Sequence, residues 1–207
     1  MKDKERDQKI KKMLIGLWSI FIIMLAFLAV FSVLNWKDIK QDLFKGKGVL
    51  ITEDRSGEIN ILIAAYLEGL SNTDDNTLMR LVLDPTQFND MTVVKSRSKV
   101  ITQYNNIVCY IVDGLKENTY IVFAVTNITI SGVDSTPLDI LPPFLVVKDD
   151  KGRYWIDNRP KDKETEEYID EISGDSGIQE IYKKVMDDQE RCVNEDPTFK
   201  NFYEKLY

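Results

Sequence analysis

The sequence predicts an α+β protein with an N-terminal transmembrane helix, three further helices, a strongly bent four-stranded antiparallel sheet and C-terminal helices. Three observations lead to this prediction. Residues 13–36 contain no charged side chain. Apolar residues then recur with a helical period to about residue 104 and with a period of two from residue 107 to 157. The helical period returns after Pro160, and helices on either side of a run of strands are typical of the α+β class.

The charge-free segment, MLIGLWSIFIIMLAFLAVFSVLNW, is long enough to cross a membrane. As a helix it would span about 36 Å, against a hydrocarbon core of about 30 Å. Trp18 and Trp36 lie towards its ends, where tryptophan favours the headgroup layer. A secretory signal peptide is the alternative, but its apolar region would be shorter and would end in a small-residue cleavage site. The sequence therefore predicts an uncleaved, single-pass signal anchor.

Flanking charges predict the orientation of this segment. Residues 1–12 hold six Lys or Arg, whereas the twelve residues after the span hold four. Cytoplasmic flanks carry the excess of basic residues, so we expect residues 1–12 to form a cytoplasmic tail. The C-terminal domain is then extracytoplasmic and attached to the cell membrane.

Composition excludes several function classes. Residues 13–207 hold 21 basic and 31 acidic residues, a net charge of −10, and such a surface repels phosphate backbones. Nucleic acid is therefore not an expected partner. The chain has no histidine, which removes histidine-based triads, metal ligands and acid–base catalysis. The sequence indicates no cofactor.

The two cysteines, Cys109 and Cys192, leave two interpretations open. Paired, they would close one long loop with a disulfide. Both lie on apolar stripes, where a free cysteine behaves as a small hydrophobic residue.

After a polar linker at residues 37–57, the helical period predicts three helices within the first part of the domain at residues 58–158. The first follows an apolar face from Ile59 to Leu70, and the second ends before Pro85. The third is predicted over residues 92–104, with its apolar residues at Val93, Val94, Val100, Ile101 and Tyr104.

Four strands are predicted next, at residues 107–114, 117–132, 144–149 and 153–157. The residues DDKG between the last two indicate a tight hairpin in which Gly152 takes a positive φ. A strand of fourteen residues would reach roughly 46 Å, longer than the diameter of about 40 Å of a domain of this size. We therefore expect the second strand to bend near Thr126 and Asn127, with apolar residues on both faces.

A helical extension is predicted at residues 159–207. It begins with a short helix at residues 165–172. Ser176 and Gln179 have the spacing of a capping box for the next helix. Asp196 and Pro197 are typical of an N-cap and first turn, which starts a last helix.

The segments ENTYIVFAVTNITISGVDSTP and FLVVKDDKGRYWID, after three helices, resemble the nuclear transport factor two-like superfamily, whose domains are cone-shaped. More narrowly, residues 50–207 resemble single-pass membrane proteins of that fold from Gram-positive anaerobic bacteria. The residues that carry the resemblance are Glu117, Asn118, Thr119, Tyr120, Asp134, Thr136, Pro137, Gly152, Tyr154, Ile156, Asp196, Phe202, Tyr203 and Leu206. The resemblance implies a cone-like domain; its fold hosts enzymes and binding modules alike.

Candidate site residues follow from this cone. We expect its pocket to be lined by Tyr66, Tyr104, Tyr120 and Phe123. The apolar last helix predicts a surface that covers either the mouth of the cone or a partner protein, through Phe199, Phe202, Tyr203 and Leu206.

Three shorter motifs have simpler interpretations. SRSK at residues 96–99 has the spacing of the nucleophilic serine and the lysine in penicillin-recognising enzymes. The two partner motifs of those enzymes are absent, so a solvated helix face is expected. NIT at residues 127–129 has the form of a glycosylation site but lies within a strand. The acidic runs lack the spacing of a calcium loop, so no metal site is predicted.

These observations predict a non-enzymatic, membrane-anchored extracytoplasmic module that acts in binding or assembly at the bacterial cell envelope. One alternative is an inner-membrane structural subunit of a secretion or conjugation apparatus, since the layout of tail, single helix and cone is similar. A second alternative is a small-molecule pocket enzyme that uses tyrosine and aspartate. Self-association or a protein partner is compatible with the first two of these hypotheses, the binding or assembly module and the subunit of a secretion or conjugation apparatus.

Overall fold

The structure is a computed structural model that describes residues 49–205. The predicted cytoplasmic tail, the predicted transmembrane helix at residues 13–36 and Leu206 lie outside the described residues. Among residues 49–205, no helix is both long and apolar enough to span a membrane. Residues 49–205 belong to one compact unit.

The described residues confirm an α+β fold with an antiparallel sheet. In chain order the elements are β1 (Thr52–Asp54), α1 (Glu58–Asn72), α2 (Asp75–Met79), a 3-10 helix (Pro85–Phe88), α3 (Thr92–Ser98), β2 (Ile101–Asp113), β3 (Thr119–Ile130), β4 (Leu138–Ile140), β5 (Phe144–Lys148), β6 (Tyr154–Ile156), α4 (Lys163–Ser173), α5 (Ser176–Glu195) and α6 (Pro197–Tyr203).

The sheet has six strands rather than the four predicted. Its order is β1-β2-β3-β5-β6, and β4 pairs with β3 beside β5. The two additional strands, β1 and β4, have three residues each, too few for an alternating pattern to be recognised. Because β1 pairs with β2, part of the segment predicted as a linker belongs to the domain.

The third predicted helix is wrong over its second half. Helix α3 ends at Ser98, and β2 begins at Ile101, which pairs with Ile130 of β3. Val100 and Ile101 are β-branched and fit a strand as well as a helix. Pairing with the long neighbouring strand therefore decides the conformation of residues 101–104.

An irregularity in strand pairing lies where the bend was expected. Asn105 pairs with Asn127 and Val108 with Val125, so β2 has an extra residue at this level, and Asn106 has a φ of 52°. The Thr126 hydroxyl donates to the Asn105 carbonyl at 2.8 Å. The bulge belongs to β2, whereas the bend was predicted in β3. A bulge of this kind kinks its strand and increases the local twist.

Both faces of β3 are buried, as its pattern predicts. Val122 and Ala124 pack in the cluster that contains α1. Ile121, Phe123 and Val125 pack in a second cluster with the apolar residues of α4 and α5. The C-terminal helices therefore complete the hydrophobic core on the second face of the sheet.

The hairpin between β5 and β6 has the predicted turn, because Gly152 has a φ of 82°. We expect Gly152→Ala to lower the free energy of unfolding by about 1–2 kcal/mol, the cost of a side chain in the left-handed region. The nearest side-chain atom to an added Cβ is 3.8 Å away, so the cost comes from the backbone. Gly174→Ala is the matched control, since Gly174 has a φ of −82°. Urea unfolding measures the change in unfolding free energy for both variants. Equal losses in Gly152→Ala and Gly174→Ala would contradict a cost that comes from the positive φ of Gly152.

Helix α5 starts one residue earlier than its predicted capping box. Asp175 is the N-cap and its carboxylate accepts from the Gly177 N–H at 2.8 Å, whereas the Gln179 amide donates to the Ser173 carbonyl.

The N-cap of α6 is confirmed. Asp196 accepts from the Thr198 N–H, and its carboxylate also accepts from the Ser135 N–H at 2.7 Å.

Asp196 makes the stability depend on pH. Its pKa lies far below the usual range because the Thr198 hydroxyl and the backbone N–H groups of Ser135 and Thr198 donate to the carboxylate. The stabilisation is therefore present above the usual aspartate pKa of about 3.9 and is lost as the pH falls towards the lower folded value. We expect Asp196→Ala to lower the Tm at pH 7 by several degrees, and by less at pH 3. Asp187→Ala, at an exposed position on α5, is the control. An equal loss of Tm at pH 7 and pH 3 would show that the stabilisation does not come from the ionised Asp196 carboxylate.

Candidate functional site: a cavity between the helices and β2

A cavity of about 180 Å³ lies between α1, the 3-10 helix, α3 and the start of β2. Most of its wall is apolar or aromatic. It is lined by Tyr66, Leu70, Phe88, Val93, Val94, Arg97, Ser98, Ile101 and Tyr104.

Local structure explains how these side chains come to share one space. Tyr66 and Leu70 are four residues apart on α1 and therefore lie on one face. Val94, Arg97 and Ser98 are spaced by three and four residues on α3 and therefore also share one face. In a regular strand, residues three apart point to opposite faces, but the pairing of β2 shifts between Ile101 and Gln103. This shift allows Ile101 and Tyr104 both to line the cavity.

Tyr66 lies in an aromatic cluster at one side of the cavity. Its ring meets Phe88 edge-on, with centroids 6.3 Å apart, and Phe144 with centroids 5.7 Å apart. Burial raises the pKa of Tyr66. Its hydroxyl is therefore protonated at neutral pH and available as a hydrogen-bond donor.

Tyr104 provides a second phenol. Its hydroxyl is buried and makes no hydrogen bond of normal geometry within the described residues. The Arg97 guanidinium lies 6.0 Å from the centre of the Tyr104 ring. Burial raises the pKa of Tyr104, while the charge of Arg97 opposes this shift. The phenol is thus a neutral donor without an acceptor.

Asp139, on β4, is the acidic group that acts electrostatically on this site. Burial raises the pKa of its carboxyl, and the positive charge of Arg97 partly lowers it again. Asp139 in turn raises the pKa of Tyr104. The charges of Arg97 and Asp139 therefore both act on Tyr104; Arg97 and Tyr104 line the cavity, and Asp139 does not.

The structure brings together two of the four residues predicted to line a pocket. Tyr66 and Tyr104 line the cavity, whereas Tyr120 packs against Tyr154 with ring centroids 5.8 Å apart. Phe123 is fully buried on the opposite face, where it meets Tyr182. Tyr120 and Phe123 differ by three positions on a regular strand, so they cannot both face one pocket.

Sequence reasoning missed Arg97 and Asp139 as site residues. Arg97 lies within the SRSK motif, which was interpreted as a solvated face. Ser96, Arg97 and Lys99 are exposed, as that interpretation expects, and the Ser96 hydroxyl donates to the Thr92 carbonyl of its own helix. Asp139 lies in a strand of only three residues. The signal that could have pointed to Arg97 is its spacing from Val94, which places both on one helical face.

The predicted partner surface packs largely within the chain. Phe199 is buried, and Phe202 and Tyr203 are half-buried against the cluster that contains Ile128 and Ile130. Helix α6 therefore covers the C-terminal end of β3. The remaining member, Leu206, lies outside the described residues.

The two cysteines are free and buried. Burial raises the pKa of the Cys109 thiol to about 12 and also raises the pKa of Cys192. Neither thiol provides a thiolate at neutral pH, so both act as core residues.

Within residues 49–205, no group of three or more Cys, Asp or Glu side chains could hold a metal ion. The cavity offers instead apolar walls, two neutral phenols and one guanidinium, groups that suit an amphipathic small molecule. Comparison of the chain with protein-family models, with curated proteins and with solved structures gives no match.

Proposed function

We propose that this chain is a membrane-anchored, extracytoplasmic binding module of the bacterial cell envelope, non-enzymatic, whose site is the cavity between α1, α3 and β2. The observation that carries the proposal is the cavity itself, apolar in most of its wall and containing the unpartnered hydroxyl of Tyr104. A mainly apolar cavity with a few polar groups is the usual form of a small-molecule site. The anchor rests on the charge-free segment at residues 13–36.

The order of elements supports a cone-like domain of the nuclear transport factor two-like type. Helices α1 to α3 precede the long antiparallel strands, and α1 packs on the sheet. The bulge in β2 at Asn106 supplies a cause for curvature of the sheet. This assignment is part of the proposal, as is the single-pass topology.

A cavity-blocking variant tests the binding function. Full-length protein in detergent micelles is screened with a library of small organic molecules by ligand-observed NMR. Val94→Trp places a large ring in the cavity, whereas Val100→Trp makes the same change at a position that does not line it. We expect ligands that bind the wild type and Val100→Trp but not Val94→Trp. If no molecule binds, or if binding survives Val94→Trp, the cavity is not the functional site.

The membrane topology and the assembly state are tested separately. A reporter fused after Tyr207 should be active outside the cytoplasm, and activity only in the cytoplasm would contradict the extracytoplasmic assignment. Cross-linking of the full-length protein in detergent tests the alternative of a secretion or conjugation subunit. A strictly monomeric product without partners would count against that alternative.

One observation favours a pocket enzyme as the second candidate. The cavity is lined by Tyr66 and Tyr104, and the negative charge of Asp139 acts on Tyr104, so the residue types that a tyrosine–aspartate enzyme would use lie in one region. NMR spectra of a bound ligand, recorded over hours, distinguish the two candidates. A binding module leaves the ligand unchanged with wild type and with Asp139→Asn, whereas an enzyme converts it only with wild type.

A further inference from the structure

We infer that the cavity selects a small monocarboxylate whose apolar body is about the size of a benzene ring. This inference rests on the proposed binding function and names the ligand class of the same site. The inference rests on the size of the cavity, on its hydrogen-bond donors and on the charges around them.

The size of the cavity limits the apolar body. Its volume is about 180 Å³. Apolar protein cavities of about 150 Å³ accept benzene. Phe88, Leu70 and Ile101 supply aromatic and aliphatic walls for such a body. A single ring or a short branched chain therefore fits within this volume.

The polar groups of the cavity are hydrogen-bond donors. Arg97 is an exposed residue that lines the cavity beside the Tyr104 ring, and it has no carboxylate within 4.0 Å among residues 49–205. The Tyr104 hydroxyl lacks a partner. A guanidinium that has no carboxylate partner, next to a buried phenol without an acceptor, matches a planar group with two acceptor oxygens. A carboxylate satisfies both donors with one group.

Other ligand classes fit the same groups less well. A cationic ligand would be repelled by the positive charge of Arg97, and a neutral amide carries no negative charge to pair with it. A phosphate carries more charge than one arginine offsets, and Arg97 is the one charged residue among those that line the cavity. A monocarboxylate matches both the single charge and the apolar space.

Asp139 provides an internal test of the inference. Its carboxylate acts on both Arg97 and Tyr104, so its negative charge opposes a bound anion. Removal of that charge should therefore strengthen the binding of a carboxylate. A neutral ligand should respond little to the same change, because it carries no net charge to interact with Asp139.

The experiment uses isothermal titration calorimetry on full-length protein in detergent micelles with three probes of one shape: benzoate, benzamide and benzylamine. We expect benzoate to bind most tightly. Arg97→Met should weaken benzoate binding about tenfold or more, because it removes a charge-assisted hydrogen bond. Tyr104→Phe, which keeps the ring, should weaken it by a smaller factor, and Asp139→Asn should strengthen it.

Lys99→Met is the matched control for charge. Lys99 follows α3 closely and does not line the cavity, so its loss should change benzoate binding by less than about twofold. Equal effects of Arg97→Met and Lys99→Met would show general attraction of anions and overturn the inference. Circular dichroism of each variant confirms that the fold is retained.

The outcomes separate this inference from the proposed function. If benzamide or benzylamine binds as tightly as benzoate and Val94→Trp abolishes the binding, the cavity is a binding site but the carboxylate assignment is wrong. If none of the three probes binds the wild type, the inference is overturned. The wider library screen then decides whether the cavity binds any small molecule.

Discussion

Phe123→Ala is expected to lower the free energy of unfolding by about 3–5 kcal/mol, the range for deletion of a large aromatic side chain from a core. Phe123 is 0% exposed, in the middle of β3, and its ring meets Tyr182 of α5 at a centroid distance of 6.5 Å. Its removal leaves a void between the sheet and the C-terminal helices, which the surrounding backbone cannot fully close. Urea unfolding of the full-length protein, followed by near-UV circular dichroism, measures the loss.

Phe123→Ala also tests whether Phe123 belongs to the hydrophobic core alone or to the binding site as well. Because Phe123 lies on the opposite face from the cavity, ligands of the cavity should bind folded Phe123→Ala as they bind the wild type. Phe123→Leu is the graded control and should cost less, since it leaves a smaller void. Loss of ligand binding without loss of stability would show that Phe123 belongs to the site.

Asn60→Ala is the second change with a large expected effect, a loss of about 2–4 kcal/mol, because two carbonyl groups would lose their donor. Asn60 is only 6% exposed. Its side-chain amide donates to the Asp54 carbonyl at 3.1 Å and to the Ile107 carbonyl at 3.0 Å. Ile107 lies in the bulged part of β2, so Asn60 connects α1 to the place where the pairing of β2 shifts.

Asn72→Ala is the matched control, because Asn72 is an exposed residue of the same helix. Its replacement should change the free energy of unfolding by no more than about 0.5 kcal/mol. Hydrogen exchange adds a local measurement. Amides of β2 around Ile107 should lose protection in Asn60→Ala, and uniform loss across the sheet would contradict a specific role at the bulge.

The main strands and helices could be predicted because their signals are local. The run of β-branched and aromatic residues at 119–130 marks β3, and the DDKG turn marks the hairpin before β6. Asp196 followed by Pro197 marks the start of α6. Each of these signals depends on neighbours within a few positions, which the order of residues records directly.

The boundary between α3 and β2 could not be predicted in the same way. Residues 99–104 satisfy a helical and a strand pattern about equally, and the choice depends on the partner strand. The short strands β1 and β4 are defined only by their pairing with β2 and β3. Tertiary contacts therefore decide those elements.

The candidate site likewise contains residues that the sequence could suggest and residues that only tertiary contacts bring together. Tyr66 and Tyr104 could be proposed from residue type and helical or strand spacing, but Tyr120 and Phe123 could not be separated from them by type alone. The participation of Arg97 and Asp139 depends on α3 and β4 being brought near the same part of the sheet.

The sequence by itself determined the α+β class, the antiparallel hairpins, the cap of the last helix and a charge-free segment suited to a membrane. Only the tertiary structure decided which face of β3 each aromatic residue occupies, where β2 has its bulge and which donors line the cavity. The physical reason is that periodicity and capping are local properties of the chain. Register and the meeting of distant side chains depend on the packing of elements that lie far apart in sequence.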